Sequence, residues 1–115
     1  MTVNVRVPSK FLINDLPTET WVEVRIDPAL LDKRAELAHW DFRGKDGKLG
    51  TIVLPSESVD FSILMHEVHH AAVDIANGHV PVDGLTETEA EDLRHEAGAV
   101  IVERLAAQTL LFNNL

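Results

Sequence analysis

Residues 58–77, Ser-Val-Asp-Phe-Ser-Ile-Leu-Met-His-Glu-Val-His-His-Ala-Ala-Val-Asp-Ile-Ala-Asn, decide the reading of this chain. The stretch holds no proline or interior glycine, and its apolar residues recur at helical spacing, so it predicts a long helix from Ser58 to Asn77. Ser56 or Ser58 is the expected cap, Glu57 suits the positive end, and Asn77-Gly78 supplies the expected stop. At 100° per residue, Val59, Ile63 and Val73 share a side with His66 and His70, while Phe61, Leu64, Val68, Ala71 and Ile75 point the other way. A helix apolar on both sides is a buried helix, so the rest of the chain must cover it.

Upstream, Val3–Val7 and Trp21–Ile26 alternate apolar and polar residues at the strand period. Asp27-Pro28 suggests the start of a short helix over 28–38. Residues 39–43 and 51–55, separated by glycines 44, 47 and 50, suggest two strands joined by a turn. Downstream, residues 78–86 hold two glycines and a proline and read as a loop. A second long helix follows, opened by a Thr86/Glu89 capping box and continued by Leu93, Val100, Ile101, Leu105 and Leu110. The expected fold is α+β: a small N-terminal antiparallel or mixed sheet followed by two long helices, with residues 1–115 as one domain.

Composition narrows the chemistry. The chain has no cysteine, so disulfides and thiolate metal sites are excluded, and any metal must use histidine or carboxylate. A net charge of −9 with scattered Lys and Arg argues against nucleic-acid binding. No apolar run approaches a membrane span, and the N-terminus lacks the apolar core of a signal peptide, so a cytoplasmic protein is expected.

His66-Glu67-Val68-His69-His70 matches H-E-x-x-H. Histidines four apart share one helix face, so His66 and His70 can direct both imidazoles at one zinc ion, with Glu67 beside them as a general base for a metal-activated water. The bland alternative is two ordinary helix histidines and a solvated glutamate. His69 points off the shared face. For a third ligand, the wheel of the second helix turns Glu91 toward its apolar stripe with Gly98, Val102, Leu105 and Thr109, and turns Glu96 and Glu103 outward. His95 lies near Glu91 on the same stripe and is the competing ligand, or a hydrogen-bond donor to a reaction intermediate. Gly98 would allow the helices to approach closely, and Arg94 could pair with Glu91 or Asp74.

On these residues the chain resembles the gluzincin-type zinc metallopeptidases, and more closely the small zincin-like proteins often carried by phages and prophages. The likeness spans residues 51–106: the His66–His70 motif, then Glu91 ahead of Arg94-His95 and Gly98. It implies zinc held by His66, His70 and Glu91, Glu67 and His95 as catalytic groups, and hydrolysis of a peptide bond. It also implies that a peptide or protein substrate lies along Thr51–Leu54 as an added strand. The chain has no tyrosine, so any oxyanion donor would be His95, Arg94 or His79.

Overall fold

A computed structural model describes residues 3–13, 20–29, 39–41 and 47–114. Six strands, β1 (Asn4–Arg6), β2 (Lys10–Ile13), β3 (Thr20–Ile26), β4 (His39–Asp41), β5 (Lys48–Leu54) and β6 (Ser58–Asp60), precede α1 (Phe61–His79) and α2 (Glu87–Phe112). The architecture is α+β, as the sequence suggests. β2-β3-β5-β4 form a mixed four-stranded sheet, and β1 and β6 form a separate pair. β2 pairs antiparallel with β3, β3 parallel with β5, and β4 antiparallel with β5.

The alternation read in β3 is real: Thr20, Val22 and Val24 are buried between half-exposed Trp21 and Glu23. β5 departs from it. Every residue from Leu49 to Leu54 is buried, which is the pattern of a strand covered on both faces. β2 went unread because Phe11-Leu12-Ile13 is a short apolar run without alternation. The expected helix over 28–38 lies mostly outside the described residues; Asp27 does accept a 3.0 Å hydrogen bond from the Ala29 N–H.

The first helix begins later than its pattern suggests. Ser58–Asp60 is strand β6, held antiparallel against Asn4–Arg6, so neither Ser56 nor Ser58 caps the helix. Asp60 does, accepting from the Ser62 N–H at 2.8 Å. The competing interaction is nonlocal: pairing with a strand more than fifty residues away in sequence outweighs a local serine cap. The Phe61 N–H donates to the Val3 carbonyl at 2.7 Å, which fixes where strand becomes helix. At its other end α1 runs past Asn77-Gly78 to His79. The capping box at α2 is present, with Thr86 and Glu89 exchanging both hydrogen bonds.

α1 lays Leu64, Val68, Ala71, Ala72 and Ile75 into a core shared with Phe11, Ile52 and Leu54 of the sheet and with Ile101 and Leu105 of α2. Each of these residues is at most 5% exposed. Gln108 ties α2 to β2 by hydrogen bonds in both directions with the Leu12 backbone, each 2.9 Å. Asn113 does the same for β1, accepting from the Arg6 N–H at 2.9 Å and donating to its carbonyl at 2.8 Å. No helix among the described residues is long and apolar enough to cross a membrane.

Candidate metal site on the first helix

α1 is covered on one side by the sheet and on another by α2, and the side left open carries His66 and His70. Both are exposed. Their Nε2 atoms converge to 3.1 Å, with ring centroids 4.6 Å apart and the rings 85° to one another. Two nitrogens about 2.0–2.1 Å from a tetrahedral zinc stand about 3.3 Å apart, so the pair already has nearly the spacing that two ligands of one ion need. In the absence of a cation that spacing serves as a hydrogen bond between one protonated and one bare ring nitrogen.

Glu67 is different. It is only 7% exposed, where His66 and His70 on the same helix are exposed. Two converging imidazoles on one helix face are a donor pair that fits zinc.

The rest of the expected site does not gather around this pair. No group of three or more His, Asp or Glu side chains is clustered for metal binding among the described residues. The reason is axial register. A Cβ built on Gly98 would lie 3.8 Å from the Ala72 carbonyl and 3.9 Å from the Ala76 Cβ, so Gly98 sits against the 72–76 turn of α1. The two helices run antiparallel, since Asn113 at the end of α2 binds Arg6, whose strand partner Ser58 lies just before α1. Moving back from Gly98 to Glu91 advances about 10 Å one way, and moving back from Ala72–Ala76 to His66–His70 goes about 9 Å the other. Glu91 therefore stands roughly 20 Å along the hairpin from the histidines and is exposed. His95, also exposed, is displaced in the same sense.

Those α2 residues line something else, a groove of about 1030 Å³ between the helices. His69, Ala72, Val73 and Ala76 form its α1 wall, and Glu91, His95, Gly98, Ala99, Val102 and Glu103 are on its α2 side. Glu103, turned outward by the wheel, borders the groove at the height of His69. Arg94 also borders it, with its Nε buried and without a hydrogen-bond partner. The groove had a trace in the sequence, because small residues at 72, 76, 98 and 99 leave room along both helices.

The expected substrate strand needs correction. Thr51–Leu54 is not an edge: β5 lies between β3 and β4, and Thr51, Ile52 and Val53 already pair with Asp41, Trp40 and His39. Its main-chain groups are taken on both sides, which leaves no place for an added strand. Among the described residues the outer strand on that side is β4, and β4 is also in contact with α1. The side chains of His39 and His79 are outside what the structure describes.

No protein-family model, curated protein or solved structure matches the chain.

Proposed function

We propose that the chain is a cytoplasmic zinc-binding hydrolase of the minimal zincin type, with His66 and His70 as metal ligands and Glu67 as general base. The observation that carries this reading is the 3.1 Å approach of two exposed imidazole nitrogens on one helix face. Bound there, zinc would lower the pKa of a water and polarise a substrate carbonyl. Glu67 would take the proton of the attacking water and pass it to the leaving nitrogen. The substrate in this proposal is a peptide bond, presented along the outer strand β4 rather than along Thr51–Leu54. Glu91 and His95 serve as third ligand and catalytic group only if α2 shifts along α1, so the ligand set rests on the two histidines.

A second reading keeps the two histidines and the zinc without turnover: the chain has no tyrosine to serve as an oxyanion donor, which suits a module that acts through protein contacts. The variant Glu67→Gln separates the two. In a hydrolase it keeps zinc and loses cleavage of a quenched peptide library by about 100-fold or more. In a binding module it changes neither metal content nor partner binding. A chain that takes up no zinc at all overturns both.

A further inference from the structure

The groove between α1 and α2 lies beside the histidine pair but does not include it, and the proposed hydrolysis makes no use of it. Its floor is apolar and shallow-chained, formed by Ala72, Val73, Ala76, Gly98, Ala99 and Val102. Val73 remains 42% exposed, although its neighbours Ala72 and Ala76 are sealed. Its borders are acidic: Glu87, Glu91 and Glu103 span α2 from its first residue over about 24 Å, or some four helical turns.

From these features we infer that the groove is a docking surface for a short amphipathic α-helix carrying Lys or Arg beside its apolar stripe. Three physical constraints select that occupant. Both walls are helices whose main-chain groups are spent on their own hydrogen bonds, so an extended peptide would leave its N–H and C=O groups unpaired, whereas a helix satisfies its own. Gly98 closes the bottom of the groove against Ala72–Ala76, and the short side chains of Val73 and Ala99, exposed above it, let a docking helix approach closely. The three glutamates on its borders and a chain charge of −9 attract a cationic partner. The same charge on both molecules opposes a second copy in the groove. Arg94 is the one fixed cation among the groove residues named, against three glutamates, so the rim stays net negative.

The test uses the whole chain and a fluorescein-labelled 16-residue peptide with Leu and Ala at helical spacing and Lys elsewhere, followed by anisotropy and circular dichroism. Saturable one-to-one binding is expected below about 100 μM, with a gain in peptide helicity. The same peptide with Glu in place of Lys should not bind. Glu103→Lys should weaken binding by about tenfold, whereas Glu57→Lys, an equal charge change at an exposed site off the groove, should weaken it by less than about twofold. Ala99→Trp, on an exposed groove position, should abolish it. Binding should persist in a chelator, which separates this surface from the proposed zinc site. The inference is overturned by absence of saturable binding, by equal effects of Glu57→Lys and Glu103→Lys, by indifference to Ala99→Trp, by a requirement for zinc, or by a concentration-dependent dimer that Ala99→Trp dissolves.

Discussion

The two ends of the α1–α2 hairpin are built by opposite rules. Where α1 begins and α2 finishes, the helices are pinned to strands: Phe61 to Val3, Gln108 to Leu12 and Asn113 to Arg6, over a core containing Leu64 and Leu105. Where α1 finishes and α2 begins, α2 carries a row of exposed residues from Glu87 to Glu89 and Glu91 to Leu93, and the space between the helices opens into the groove. The histidine pair belongs to the pinned half. Strand-anchored support suits a metal site, in which two rings must hold one spacing, and an exposed, acidic margin suits a surface that receives a partner.

The sharpest break of this comparison is in the core of the pinned end. Leu105 is fully buried, and Leu105→Ala should cost about 2–5 kcal/mol of unfolding free energy in a denaturant titration. Next is the tie between α2 and β2. Gln108→Ala removes two hydrogen bonds and leaves the Leu12 N–H and C=O part-buried, which should cost about 1–2 kcal/mol by the same measurement. At the open end Thr86→Ala, which removes the cap of α2, should cost about 1 kcal/mol, with faster amide exchange confined to the first turns of α2. The smallest effect belongs to Leu93→Ala. Leu93 is 41% exposed, and its loss should change stability by less than about 0.5 kcal/mol. If Leu93→Ala proves as damaging as Gln108→Ala, the two ends are not different in kind.

Acid should loosen one helix start at each end. Hydrogen bonds from Ser62 hold the Asp60 carboxyl below the usual carboxylate range, and hydrogen bonds from Thr86 do the same for Glu89. A depressed folded-state pKa contributes stability that is complete above the unfolded value and is lost as pH falls through the folded one, here below about pH 4. A pH titration followed by carboxyl carbon shifts should show both groups titrating below free aspartate and glutamate, and Ser62→Ala should return Asp60 toward its ordinary value.

How much of this was legible in the sequence follows from the range of each interaction. The capping box at Thr86 and Glu89, the alternation of β3 and the shared face of His66 and His70 depend on residues a few positions apart, and all three could be read directly. Asp60 displaced Ser58 as the cap because a distant strand, Asn4–Arg6, claims the residues before it. β5 was misplaced as an edge because its neighbours, one parallel and one antiparallel, are set by chain topology. Glu91 shows the limit most clearly. A helical wheel gives the azimuth of a side chain and not its height, and Glu91 has the inward azimuth of Gly98 and Leu105 at a height close to the end of α1.

The central claim is that His66 and His70 together hold one zinc ion, and titration of the metal-free protein by isothermal calorimetry, with metal content checked by elemental analysis, tests it most directly. The account predicts one zinc per chain and loss of that binding, by about 100-fold or more, on either His66→Ala or His70→Ala, while His69→Ala retains it. Uptake of zinc that survives both substitutions, or no uptake by the unaltered chain, would contradict it.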